Sequence, residues 1–324
     1  MKPTLAHSLT WFDSITLDQL NSTMSLMERV DTKYVINYEQ ADFLIQQLKK
    51  NFLVLQIKDM VIFNYDNVYM DTAKYDLFYE HERGDEMRNK VRTRNYTDSS
   101  DLCFFEYKHK LNKVTRKFRY KCPAQEHGIM SEEAIGFFAG IYESLNGEKS
   151  RYELSAALAT RYKRITLCAK DSGEKVTIDF DFIFEDLRSG TTHQLDEIVI
   201  VESKSNSEHC QTGKIMKKMW VHQAKWCSKY CLGLLYTKVI AHSEKFKDAM
   251  AMIEAITNEA QVSRDTQTQK VIKKAVKKVA KVAKDAVKSS PMKVVASNIT
   301  KKIANKMPST KNITWFKAKK LVSV

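Results

Sequence analysis

Between residues 88 and 94 the chain reads RNKVRTR, so Arg88, Lys90, Arg92 and Arg94 fall at every second position. Side chains of an extended strand point alternately to opposite faces, and this spacing lines four cations along one of them. The next runs repeat the device. Glu106, Lys108 and Lys110 share one parity opposite Cys103, Phe105 and Tyr107, and Lys117, Arg119 and Lys121 share another. Upstream, Arg29, Asp31 and Lys33 share parity; downstream, Lys175, Thr177, Asp179 and Asp181 lie opposite Val176, Ile178, Phe180 and Phe182. Guanidinium forks bind phosphate bidentately, ammonium groups neutralise it as point charges, and a carboxylate can hold a hard divalent cation. The chemistry on offer is therefore the binding of phosphate groups, with a metal on a carboxylate. An open sheet would turn such a face to water. A sheet closed into a barrel would turn it inward, and a lumen of converging cations repels itself unless a chain of phosphates, with a metal on its carboxylates, fills it.

The elements that position these residues read as short alternating runs. Strands are predicted over 29–36, 61–71, 88–96, 102–111, 115–122, 160–168, 174–183, 196–204 and 230–237. Helices are predicted over 38–50, over 131–145 with Ser131 as N-cap and Glu132 and Glu133 in its first turn, over 213–227 and over 241–258. The class is α+β, mostly antiparallel, with helices packed outside the sheet. With 324 residues and 43% hydrophobic content, the chain can bury roughly 75% of its unfolded surface, which excludes wholesale disorder. No apolar run approaches the ~18 residues of a membrane span, and MKPTLAHSLTWFDS lacks a signal-peptide core, so a cytoplasmic protein is expected. Six cysteines without a CxxC pair suit a reducing compartment. His222, Cys227 and Cys231 could meet a metal on one helical face, although their spacing fits no common zinc pattern.

The formal charge of +14 is unevenly spread. Residues 261–324 hold sixteen lysines and Arg264 against Asp265 and Asp285, an excess of +15 that leaves the body at −1. In this tail Val271, Ile272, Ala275, Val276, Val279, Val282, Ala283 and Ala286 recur between lysines with the period of a basic amphipathic helix, stopped by Ser289, Ser290 and Pro291. A second lysine-rich stretch ends near Trp315 and Phe316. Such a helix suits an anionic membrane surface, nucleic acid or polyphosphate, or serves as a solvated tail, helical or disordered.

The strings RVDTKYVI, VYMDT, YEHERG, RNKVRTRNY, FFEYKHK, KFR, YKRITL, KVTIDFDF, VIVESKS and SKYCLG occur in order between residues 29 and 233. Together they resemble the VTC polyphosphate polymerase domain of the triphosphate tunnel metalloenzyme (CYTH-like) superfamily. The resemblance implies an antiparallel β-barrel tunnel of about eight strands, placed over residues 1–258; the charge split, not the resemblance, sets off residues 259–324 as the lysine-rich tail. The resemblance also implies transfer of the γ-phosphoryl of ATP to a growing polyphosphate chain with Mn2+ or Mg2+. On the matching positions, Lys33, Arg92, Arg94, Lys108, Arg164 and Lys229 would be catalytic, and Arg29, Lys90, Lys117, Arg119 and Lys204 would bind phosphate. Glu202 would bind the metal, with Glu106 and Asp179 in supporting acidic roles. ATP and polyphosphate are the implied partners, and the tail adds an anionic membrane surface at the inner face of the membrane, a membrane-protein partner or nucleic acid.

Two departures qualify the resemblance. Hydrolytic relatives begin Glu-x-Glu-x-Lys where this chain has Arg29, Asp31 and Lys33, which resembles the polymerase branch. The family often places a lysine three residues before the position of Lys229, where this chain has Trp226, with Lys225 one position off. Two other readings therefore stand beside the polymerase: a tripolyphosphate or nucleoside triphosphate hydrolase, and a non-catalytic polyanion-binding accessory subunit.

Overall fold

The computed structural model describes residues 4–23, 30–99, 102–112, 114–206 and 210–288, and falls into two units, Met1–Asn258 and Glu259–Val324. In chain order the elements are α1 (Leu5–Leu9), β1 (Ser14–Ile15), α2 (Leu17–Thr23), β2 (Val30–Ile36), α3 (Tyr38–Leu48), β3 (Phe52–Leu55), β4 (Phe63–Asp71), α4 (Asp76–Arg83), β5 (Met87–Tyr96), β6 (Cys103–Leu111) and β7 (Val114–Cys122). There follow α5 (Glu132–Asn146), β8 (Ser155–Ala169), β9 (Lys175–Asp186), β10 (Thr192–Ser205), α6 (Gln211–Lys218), α7 (Lys229–Tyr236) and α8 (Lys247–Lys288). Eight strands form one antiparallel path, β2–β10–β9–β8–β4–β5–β6–β7, while β3 joins β8 and β1 pairs parallel with β3. Among the described residues the end strands β2 and β7 share no ladder, so the tunnel-like sheet is not closed by hydrogen bonds.

Alternation explains how the sheet is clothed. Val68, Met70, Val91, Phe105 and Tyr107 present one parity of β4, β5 and β6 outward against Ala134, Phe138 and Tyr142 of α5, whose N-cap Ser131 accepts from the Ala134 amide. On the other half of the sheet, Ile36, Ile178 and Val201 are covered by Ala41, Leu44, Ile45 and Leu48 of α3 and by Met216 of α6. The i, i+3, i+4, i+7 spacing of that α3 stripe is what gives the helix one apolar face, and Asn37 and Gln40 close a capping box at its start.

The inner parity carries a second kind of core. Val35, Leu158, Phe182, Phe184, Ile198 and Ile200 pack with Tyr230, Cys231, Leu232, Leu234 and Leu235, so α7 lies on the concave side of the sheet. The sequence pattern predicts a strand over 230–237. These residues form the enclosed helix α7 instead: Tyr230 to Tyr236 are all buried, and a run that is apolar on every side has no period to distinguish helix from strand. Gly233 permits the close approach: a Cβ there would stand 2.5 Å from Leu158 Cδ2 and 2.9 Å from Phe184 Cδ1.

Other expectations need correction. The helix predicted over 213–227 is confined to α6, and Trp220 and Trp226 in the segment after it take left-handed φ values of 58° and 57°. His222 is exposed in that segment while Cys231 sits inside α7, so His222, Cys227 and Cys231 do not share a helical face. The helix predicted over 241–258 starts at Lys247 and runs to Lys288, short of Ser289. Asp181, with φ 54°, is a bulge that flips strand parity: Asp179 faces inward with Phe182 and Phe184, while Asp181 bonds Tyr38 and Lys163 elsewhere. In the second unit, Val271, Ile272, Val276 and Val279 are exposed among exposed lysines. Arg29 and the lysine-rich stretch ending near Trp315 and Phe316 lie outside the described residues. Among the described residues no helix is long and apolar enough to cross a membrane.

Candidate functional site

The concave wall divides into an apolar end filled by α7 and a charged end facing the start of that helix. On β4, Tyr65, Asn67, Tyr69 and Asp71 share the inner parity and receive the groups opposite. Arg92 donates from Nη1 to the Tyr69 hydroxyl at 3.0 Å, Arg94 from Nε to Asn67 Oδ1 at 3.0 Å, and the Tyr230 hydroxyl to Asp71. Asp71 also accepts the Leu77 and Phe78 amides, so one carboxylate ties α7 to the start of α4.

Two clusters hold predicted cations around acids. Glu106, 2% exposed, takes Arg92 Nε at 2.7 Å and Lys117 Nζ at 2.5 Å, with Arg94 Nη2 at 3.7 Å. Burial favours the neutral acid, but Arg92, Arg94 and Lys117 outweigh it and hold Glu106 well below the usual carboxylate range. Asp179, fully buried, receives Arg164 bidentately at 2.6 and 2.7 Å and Lys229 Nζ at 2.6 Å. Its pKa is lowered against burial by Arg164 first and then Lys229. Tyr65 and Tyr162 stack at 5.4 Å, and the Arg164 guanidinium carbon lies 4.9 Å from the Tyr65 ring centre. These carboxylates orient the basic side chains and leave each cluster with an excess of positive charge.

Beside them runs a set of cations with no ion-pair partner among the described residues. Lys33 Nζ donates to the Cys227 carbonyl at 2.8 Å and Lys90 Nζ to Ser228 Oγ at 2.9 Å, both just before α7. Burial pushes Lys90 down to about 8; Cys231 opposes the fall, and Lys33, Arg92 and Arg88 add to it. Burial followed by Lys90 and Lys33 brings Lys108 to about 8 as well, although its side chain is exposed to solvent. A lysine both reached by water and enclosed by protein stands inside a concave wall. Burial also lowers Lys117 to about 8 despite Glu106. Arg119 lies 4.9 Å over the Phe104 ring.

Lys204 bridges Glu202 Oε1 and Asp31 Oδ2, each at 2.7 Å. Burial would raise Glu202, but Lys33, Lys204 and Lys229 hold it well below the usual range, so it is ionised. Among the described residues no three His, Cys, Asp or Glu side chains gather where they could hold a metal. This donor set fits a hard cation held by one carboxylate together with phosphate oxygens and water, and does not fit a cage made by protein alone.

Of the predicted site residues, all but Arg29 are described, and the structure brings them to this one wall, with Arg119 at its β7 edge. Sequence reasoning missed Tyr65, Asn67 and Tyr69, whose role appears only when β4 pairs with β5, and Ser228, whose side chain both caps α7 and accepts Lys90. Alternating polarity in VYMDT was the available signal for Tyr69 and Asp71.

The chain is similar to a candidate adenylate cyclase of Bacillus halodurans (15% identity, 63% of this chain and 97% of that one, TM-score 0.40) and to a Hippeastrum protein described as having a dominant triphosphatase activity (13%, 64% and 95%, 0.41). A Pyrococcus horikoshii protein is similar at 13% identity over 64% of this chain and 98% of that one, with TM-score 0.35. No curated protein matches the chain. The family model of the VTC domain matches residues 28–238, which span β2 to the end of α7. The chain belongs to the VTC domain family.

Proposed function

We propose that this protein is a metal-dependent polyphosphate polymerase that transfers the γ-phosphoryl group of ATP to a polyphosphate chain. One observation carries the reading: the inner row Arg88, Lys90, Arg92 and Arg94 spans about 20 Å along β5, and its members Arg88 and Lys90 have no carboxylate partner among the described residues. A single phosphate cannot neutralise such a row, and a chain of phosphates can. In the reaction a terminal oxygen of the chain attacks the γ-phosphorus and the bond to the β-phosphate oxygen breaks, releasing ADP. That nucleophile is already ionised near neutral pH, so the protein needs no general base; it must align both oxygens and neutralise the phosphoryl group between them. Arg92, Arg94 and Arg164 are oriented for this by Glu106 and Asp179, and Lys33, Lys90, Lys108, Lys117, Arg119, Lys204 and Lys229 supply the surrounding charge. Bound at Glu202, Mn2+ or Mg2+ would neutralise charge on the phosphate oxygens.

The alternative, hydrolysis, needs acids free to position water. The first motif offers Arg29 where hydrolytic relatives carry a glutamate, which favours the polymerase. Incubation with ATP and manganese, with products resolved on a gel stained for polyphosphate, tests the reading. A ladder lost in Glu202→Ala and Arg92→Ala supports it. Orthophosphate alone would select the hydrolase, and tight polyphosphate binding without turnover would select the accessory subunit.

We further propose that residues 259–324 form a separate basic segment that docks on an anionic lipid surface. From Lys270 to Lys281 the helix separates lysines and apolar residues into arcs of about 140° and about 180°; nucleic acid rewards only the first, whereas a lipid interface rewards both. Deleting residues 261–324 should abolish co-sedimentation with phosphatidylserine vesicles, and unchanged sedimentation refutes this assignment.

A further inference from the structure

Trp226 is a large aromatic side chain left 43% exposed, on a left-handed backbone that bulky residues rarely adopt. Its position in the chain puts it at the lip of the charged wall: the next carbonyl, of Cys227, holds Lys33, and the next side chain, of Ser228, holds Lys90. Arg88, at one end of the β5 row of cations, has its guanidinium carbon 5.8 Å from the Trp226 ring centre. Arg88 Nε is buried and has no hydrogen-bond partner, and no carboxylate pairs with this arginine among the described residues. Lys245 Nζ stands 4.3 Å over the same ring. The phosphate wall thus ends in an aromatic plate beside an arginine with unused donor capacity.

A polyphosphate chain has nothing to place on that plate. A nucleoside triphosphate does, because its base is joined through one ribose to the first phosphate, and aromatic side chains stack on any base. We propose that Trp226 is the nucleobase platform of this site, with Arg88 binding the phosphate nearest the ribose, so that donor nucleotide and polyphosphate are distinguished at this lip. The inference rests on the phosphate-chain reading above and adds a specificity residue to it. Stacking is tolerant of base identity, so the platform selects nucleotides as a class.

The test is calorimetric titration of the full chain with ATP and with tripolyphosphate, for the native protein, Trp226→Leu and Trp226→Phe. Trp226→Leu should weaken ATP about tenfold and leave tripolyphosphate unchanged, with Trp226→Phe recovering most of the loss. Unchanged tripolyphosphate binding shows that the Leu variant is folded and its phosphate wall intact. Equal weakening of both ligands in Trp226→Leu, or no weakening of ATP, overturns the platform while leaving the phosphate reading in place. Failure of the native protein to bind tripolyphosphate overturns the phosphate reading and the platform with it.

Discussion

Glu106→Gln keeps the shape of the side chain and removes its charge from a group that is 2% exposed. Among the described residues Glu106 is the one ion-pair partner of Arg92, Arg94 and Lys117. Breaking a buried cluster by removing one partner costs about 3–5 kcal/mol. The lower end applies here: the Lys117 side chain is 44% exposed and screened by water, and the Arg94 contact is a loose 3.7 Å. A loss of about 3 kcal/mol should lower the melting temperature by roughly 6–12 °C. A polyanion supplies the missing negative charge, so tripolyphosphate should raise the melting temperature of the variant more than that of the native protein; ligand at a hundred times its Kd is worth about 2.7 kcal/mol before that extra term. Thermal unfolding of both proteins with and without tripolyphosphate measures all four values. Melting within about 2 °C of the native protein, or an equal shift on adding ligand, refutes the view that Glu106 neutralises cations otherwise reserved for phosphate.

Two further outcomes follow from the same wall. Burial above all pushes Lys90, Lys108 and Lys117 down to about 8, so tripolyphosphate affinity should hold below pH 7 and fall as pH rises through 8, by up to about tenfold per lysine per unit. The ligand itself gains charge over this range, so an affinity that stays flat or rises between pH 7 and 9 in calorimetry would contradict these lowered values. Gly233→Ala forces a methyl to within 2.5 Å of Leu158 and 2.9 Å of Phe184, and the overpacking cost of about 1–3 kcal/mol exceeds the helix-propensity gain of about 1 kcal/mol at the upper part of that range. The expected result in urea denaturation is net destabilisation, together with weaker tripolyphosphate binding as the start of α7 shifts; a more stable variant would show that α7 does not depend on this contact.

Much of this protein was legible in its sequence because a strand's two-residue period is a local property. The rows Arg88–Arg94, Glu106–Lys110 and Lys117–Lys121, the outward apolar parity of β4 to β6 and the stripe on α3 all follow from side chains alternating about a backbone that neighbouring residues already specify. The sequence thereby determined that β5 to β7 would turn a basic row to one face of the sheet, and that residues 270–281 would separate lysine from valine on a helix. Tertiary structure decided what local periodicity cannot express. Residues 230–236 are apolar at every position, so only the cavity they fill makes them a helix, and only the absence of a side chain at Gly233 lets that helix enter. Parity alone places Asp179 and Asp181 on one face; the bulge at Asp181 left Asp179 with Arg164 and Lys229, sent Asp181 away from them and turned Phe182 inward. Which cations are matched by an acid and which are left for a ligand is likewise a question of distances between strands far apart in sequence. Glu106 answers it for Arg92, Arg94 and Lys117; Lys33 and Lys90, meeting a carbonyl and a hydroxyl before α7, are left with charge to give.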